Sequence, residues 1–191
     1  MPNDLTEYIK YRPLMKSMDA FAYKSNEPLG ELIRLFSPDW NHAGLFIPMD
    51  NHSGYECRNW TLEAVHPKVH LTLLSKKLES YSGEVWWFPL KPEYDDLRIL
   101  GERYVLEFEG VKYDLRGLLR NALGWVSMNA FQMFCSELDF FGYREMGIVH
   151  GNVAPRPSNL FTDYPIFCEP KLLVKSNEKI VTLEECMVVG Q

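Results

Sequence analysis

Phe134-Cys135-Ser136-Glu137-Leu138 opens a run that continues through Asp139-Phe140-Phe141-Gly142-Tyr143-Arg144-Glu145-Met146 and stops at Gly147. Its apolar spacing predicts a helix from Ser136 to Met146 that presents Cys135, with Gly147 placed to end it. Upstream, Asn41-His42-Ala43-Gly44-Leu45-Phe46-Ile47 sets a histidine at the start of an apolar strand. Between the two, Thr61-Leu62-Glu63-Ala64-Val65 carries a carboxylate inside a second short apolar run. The helix thus follows a series of short strands instead of alternating with them. Helices bracketing consecutive strands predict an α+β chain with a mainly antiparallel sheet packed against the cysteine helix.

A thiol on the first turn of a helix feels the positive end of the macrodipole and unpaired backbone N–H groups, both of which favour the thiolate. Cys135, His42 and Glu63 are therefore the candidate nucleophile, base and orienter of an acyl-transfer site. Each has an ordinary structural reading as well: a small core hydrophobe, a strand-opening histidine, a solvent-facing acid.

The rest of the chain reads as mixed structure. Residues 13–24 form an irregular or extended segment, and Leu29, Leu32, Ile33 and Phe36 have helical spacing over 28–36. Strands are expected at 43–48 and 60–65, the second extended by Val69–Leu71 after Pro67, with a polar turn at 50–54. A short helix or turn follows at 75–81, then a strand at 85–90. Residues 92–108 have Tyr94, Leu97, Leu100, Tyr104, Val105 and Phe108 at three-to-four spacing, an amphipathic helix despite Gly101. A second helical stretch is expected at 113–119 and a loop at 124–129. Beyond Gly151 the Pro-rich sequence predicts a loop over the core, and 171–189 one or two closing strands.

The order His, Glu, Cys in these settings resembles the circularly permuted papain-like cysteine hydrolases. In particular it resembles the YiiX-like group, related to the NlpC/P60 peptidases and the lecithin–retinol acyltransferase family. Gly110-Val111-Lys112-Tyr113-Asp114 and Pro155-Arg156-Pro157-Ser158-Asn159-Leu160 extend the likeness. Relatives often carry Ser before the histidine and a Gly-Asp pair near the start, where this chain has Asn41 and Met18-Asp19. The resemblance implies one permuted papain-like domain over 1–191, with a family-like core at about 12–162 and a C-terminal extension at 163–191. It places the nucleophile on Cys135, the base on His42 and the third polar residue on Glu63. Ordinary papain-like enzymes have the cysteine helix before the sheet, so the reversed order here is what permutation implies.

Composition narrows the function class. At 191 residues with 46% hydrophobic and 14% aromatic content, the chain is long and apolar enough for one folded domain. A net charge of −6, with no basic–aromatic stripe, argues against nucleic-acid binding. No apolar run approaches the ~18 residues of a membrane span, so no integral membrane segment is expected. The amino terminus has acids and no apolar core of a signal peptide. Cys57, Cys135, Cys168 and Cys186 have no paired spacing, which fits a reducing, cytoplasmic setting with three incidental thiols. His66 and His70 with Cys57 and His52 are the competing metal candidates. Pro67 disfavours the helix that would align the two rings, so no metal and no cofactor is expected.

The expected activity is hydrolysis of an amide or ester through a thioester, in the amidase or peptidase class, on an acyl, peptidyl or lipid-like substrate. His42 is expected to pair with the Cys135 thiolate as an imidazolium, with Glu63 stabilising that charge. Glu137, in the same first turn, opposes thiolate formation if it faces the thiol. Tyr113 and Asp114 are weaker candidates for lining the site. An acyltransferase on the same fold, and a binding protein without turnover, are the alternatives.

Overall fold

In the computed structural model of the chain, described residues are 2–26, 34–35, 37–49, 58–113, 132–133 and 135–176. The sheet comprises β1 (Ala20–Ser25), β2 (His42–Met49), β3 (Arg58–Val65), β4 (Lys68–Leu73), β5 (Gly83–Phe88), β6 (Lys112–Tyr113), β7 (Gln132–Met133) and β8 (Lys171–Lys175). Their order is β7-β6-β4-β3-β2-β1-β5-β8. The six strands from β4 to β8 are antiparallel throughout, and only the short β6–β7 pair at one edge is parallel. The helices are α1 (Thr6–Tyr11), α2 (Leu74–Ser80), α3 (Arg98–Leu106), α4 (Cys135–Glu145) and α5 (Pro157–Thr162).

Side chains alternate across each strand, and this alternation sorts the interior into two layers. Ala20 and Ala22 of β1, Ala43, Leu45 and Ile47 of β2, and Leu62 and Ala64 of β3 face the layer that holds Leu138, Phe140 and Tyr143 of α4. Phe21, Tyr23 and Phe46 face the other, with Leu74 and Leu78 of α2 and Tyr8 of α1. Small residues on the α4 side let that helix lie close to the strands. Where α3 crosses α4, a Cβ on Gly142 would sit 2.6 Å from Val105 Cγ1, and one on Gly101 2.6 Å from Met146 Sδ. Gly101, unfavourable for the helix by propensity, is there because the crossing leaves no room for a side chain.

A buried carboxylate ties the α3 side to the sheet. Asp19 accepts hydrogen bonds from Trp87 Nε1 at 2.9 Å, Leu90 N–H at 2.9 Å, Lys16 N–H at 2.9 Å and Arg98 Nη1 at 2.8 Å. Arg98 also donates to the Leu90 carbonyl at 2.8 Å and to Asp95 at 2.8 Å. With its charge paired and its lone pairs occupied, Asp19 meets the condition under which a buried acid is tolerated.

Several expectations change at the element level. Residues 92–108 are a 3₁₀ turn at Pro92–Leu97 followed by α3, since Pro92 at the first position suits a tight opening turn. The stretch beyond Gly151 contains α5, a helix started by Pro157 that the proline count concealed. Lys112–Tyr113 is a strand, in place of the helix expected to begin at Tyr113. Thr6–Tyr11 is a helix that no expectation covered. The expected extension of β3 through Val69–Leu71 is instead part of a separate strand, Lys68–Leu73, hairpinned onto β3 across His66-Pro67. The predicted helix over 28–36 (apart from 34–35), the turn at 50–54, Asp114, the remaining helical stretch to 119, the loop at 124–129 and the strand residues 177–189 lie outside the described residues, as do Cys57, Cys186 and His52.

Candidate functional site

His42 opens β2 and Glu63 lies on the neighbouring β3. The pairing of Phe46 with Thr61 puts Glu63, two residues along, on the same face as Gly44 and His42. Glu63 then reaches along β2, over Gly44, to bond His42 Nε2 through Oε2 at 2.5 Å. A Cβ at position 44 would fall 2.6 Å from Glu63 Cγ and 3.0 Å from Thr61 Oγ1. The glycine two residues after the histidine therefore has a specific reason: any side chain there would occupy the path of the carboxylate.

Two groups not anticipated from sequence complete the surroundings of Glu63. Tyr23, paired with His42 across β1 and β2, donates from its hydroxyl to Glu63 Oε1 at 3.2 Å, and its ring lies 5.0 Å from the imidazole. Lys77, on α2, donates to the same Oε2 that His42 holds. Its ammonium sits over the Tyr23 ring at 4.2 Å and 5.8 Å from the Tyr81 ring centre. Tyr23 carried a legible signal, an aromatic alternating with small residues in Ala20-Phe21-Ala22-Tyr23. Lys77 carried none, because a lysine in a short helix reads as solvated surface.

The charges respond to this packing. Burial disfavours the ionised form of Glu63, but Lys77 and the bond to His42 outweigh it and hold the carboxyl well below the usual range. Burial lowers the His42 pKa, and Lys77 and His70 push the same way, against the pull of Glu63. The imidazole is thus neutral at neutral pH, with Nε2 engaged by Glu63 and Nδ1 the nitrogen left to act as base.

Cys135 starts α4 and is 1% exposed, within the core layer that contains Ala22, Ala43 and Leu45. The backbone N–H groups near its sulfur, those of Ala43, Ser136 and Cys135 itself, act to lower its pKa. Burial dominates and pushes the thiol up to about 12, with Asp139 adding to the rise, although the N–H groups at the helix start favour the thiolate as the helix position predicts. Both shifts run against the expected thiolate–imidazolium pair and favour a protonated thiol and a neutral imidazole. Among the described residues no hydrogen bond joins Cys135 to His42. Cys135 instead shares the α4-side core layer with Ala43, the residue that follows His42, while the imidazole and Glu63 lie on the side of Tyr23 and Lys77.

Asp139 is the acid that opposes the thiolate. It lies one turn after Cys135 and is wholly buried, and neither oxygen has a hydrogen-bond partner among the described residues. Burial, reinforced by the charge on Glu63, drives its pKa well above the carboxylate range. The residue sits in plain view between Leu138 and Phe140, but an acid in an apolar run reads equally as a solvent-facing position.

The weaker candidates separate. His66 lies in the β3–β4 hairpin turn and His70 on β4 opposite Glu63, so the two rings share no helix face. Among the described residues no group of three or more His, Cys, Asp or Glu side chains could hold a metal ion. Among the same residues no helix is long and apolar enough to cross a membrane. Tyr113 falls on β6 towards the edge of the sheet.

The two positions where the chain departs from the YiiX-like pattern have local explanations. Met18 has φ +65°, the left-handed region that glycine adopts without strain, and it holds that geometry with its side chain fully buried. Asn41 accepts from Ser25 N–H at 2.9 Å and donates to the Ser25 carbonyl at 3.0 Å, so it closes the end of the β1–β2 ladder just before His42. Against known proteins, no family model and no curated protein matches this chain.

Proposed function

We propose that the protein is a cysteine hydrolase of the amidase or peptidase kind, built on a circularly permuted papain-like fold. Cys135 is the nucleophile, His42 the base and Glu63 the orienter. The observation that carries this reading is the convergence at the start of β2: His42 is held by Glu63 through Nε2, and Cys135 at the head of α4 packs in the core layer that contains Ala43, the next residue. The left-handed backbone at Met18, where relatives often have glycine, gives separate support to the family likeness.

In the reaction the thiol and His42 meet around the end of β2, where His42 is the first residue, and Nδ1 takes the proton as the sulfur attacks the carbonyl carbon. The N–H groups at the start of α4 are the donors for the tetrahedral oxyanion. His42 then returns the proton to the leaving amine or alcohol as the C–N or C–O bond breaks. Water, activated by the same imidazole, hydrolyses the thioester and restores the thiol. A neutral His42 at rest suits this sequence, because the base must be free to accept a proton. An acyltransferase differs only in that an acceptor other than water resolves the thioester.

Burial of Cys135 at 1% exposure is the specific observation that favours a second reading, a binding protein that keeps the fold without turnover. The experiment that separates them is labelling with a panel of acyl and peptidyl electrophiles, read by mass spectrometry on intact protein and peptides. A hydrolase acquires a mass adduct on Cys135, lost in His42→Ala, with at least one electrophile. Absence of any Cys135 adduct across the panel, in protein shown to be folded, rejects the catalytic reading.

A further inference from the structure

The His42–Glu63 contact is a three-body arrangement. Lys77 Nζ and His42 Nε2 both bond Glu63 Oε2, while Tyr23 occupies Oε1. Lys77 is not a mobile surface charge: Leu74 and Leu78 on either side of it anchor α2 in the core, and its ammonium sits over the Tyr23 ring near Tyr81, at a site where the side chain is 17% exposed. A carboxylate that met only an imidazole would stabilise the protonated ring strongly. One that already carries an ammonium on the same oxygen has that pull offset, while the hydrogen bond that orients the ring remains.

We propose that Lys77 is a positioning residue for this site: by sharing Glu63 Oε2 with His42, it fixes the carboxylate and offsets its charge, so that His42 is oriented as a neutral base instead of being held as an imidazolium. The role of Glu63 is thereby geometric. This rests on the hydrolase reading for its catalytic meaning, but the claim about His42 stands on the packing alone. The groups that face the imidazole are Glu63 from β3, Tyr23 from β1, Lys77 from α2 with Tyr81 just beyond that helix, and His70 from β4, with Asp139 of α4 acting on Glu63 from the other face. Of these, Lys77 is the fixed cation in contact with the carboxylate that holds the ring. Removing it leaves the anion unopposed.

The test is a pH titration of the His42 ring by NMR in the full-length protein, with the acid limb of kcat/KM followed in parallel wherever a substrate has been found. Lys77→Met keeps the aliphatic stem and removes the charge; the His42 midpoint should rise by about one pH unit or more. Lys77→Arg should leave the midpoint within a few tenths of a unit. Lys77→Gln, which retains a donor for Oε2 without charge, should rise as Lys77→Met does and is the variant to read if that one does not fold. A midpoint that stays put or falls in a folded charge-removing variant overturns the proposal. So does loss of folding in both of them, since Lys77 is then a structural counter-ion. Because the titration is read without turnover, an inactive protein whose His42 midpoint rises as expected would reject the hydrolase reading and leave the Lys77 assignment intact.

Discussion

Replacing Asp139 by Asn should remove a pH dependence from the stability of the fold. Asp139 is wholly buried, with neither oxygen bonded among the described residues, so the native protein holds this group as the neutral acid and resists its ionisation. In the unfolded chain the same side chain titrates near the ordinary value of about 3.9. Below that value both states carry the proton, and the contribution of Asp139 to stability is fully present. As pH rises above it, the unfolded chain releases the proton and the native one keeps it, so stability falls until the native group itself ionises. For one proton the folding equilibrium shifts by up to about tenfold per pH unit across that window. Asn has nearly the same shape and no proton to release. Glu63 and His42, whose folded pKa values are lowered, push stability the opposite way, but they are common to both proteins and largely drop out of the difference. Urea unfolding of wild type and Asp139→Asn at half-unit steps from about pH 3.5 to 7 measures the effect. The wild type should lose ground to the variant steadily above about pH 4, with little change below. Parallel curves, or a wild type that gains on the variant as pH rises, would mean that the carboxylate is ionised and stabilised in the native protein, and would refute the reasoning.

Further outcomes follow from the same contacts. With small alkylating agents that carry no acyl group, exposed Cys168 should react well before Cys135 in folded protein, and denaturant should abolish the difference; peptide mapping after brief labelling checks this. Gly44→Ala places a methyl 2.6 Å from Glu63 Cγ, so it should cost about 1–3 kcal/mol of stability and disturb the His42 ring resonances, seen by thermal unfolding and NMR together. Arg98→Met strands the buried Asp19 carboxylate and should cost about 3–5 kcal/mol in denaturant unfolding. Met18→Gly relieves a left-handed backbone strained by about 1–2 kcal/mol, but deletes a fully buried side chain whose loss costs about 2–5 kcal/mol. A net loss of stability is therefore expected, and a gain would show that the strain at Met18 outweighs its packing.

Local pattern was enough to place His42 at the start of a strand, Glu63 within the next one and Cys135 at the head of a helix, because periodicity and helix stops are written in neighbouring residues. It was enough, too, for an α+β chain with a mainly antiparallel sheet. The ionisation states were not legible. The helix start argued for a thiolate at Cys135, but desolvation depends on what other elements deliver around the sulfur, and here the sheet and α4 enclose it. Lys77 illustrates the same limit. Its own helix marks it as surface, and only the packing of α2 onto β1 and β3 brings its ammonium to Glu63. Alternation along β2 separates Ala43 from His42, yet nothing in that alternation says which helix covers which face. By itself the sequence determined the elements that carry His42, Glu63 and Cys135, but not α1, α5 or the strand at Lys112–Tyr113. The tertiary structure decided which charges meet, which groups lose water and which face of the sheet each one occupies, since electrostatic and solvation energies depend on distances between segments far apart in the chain.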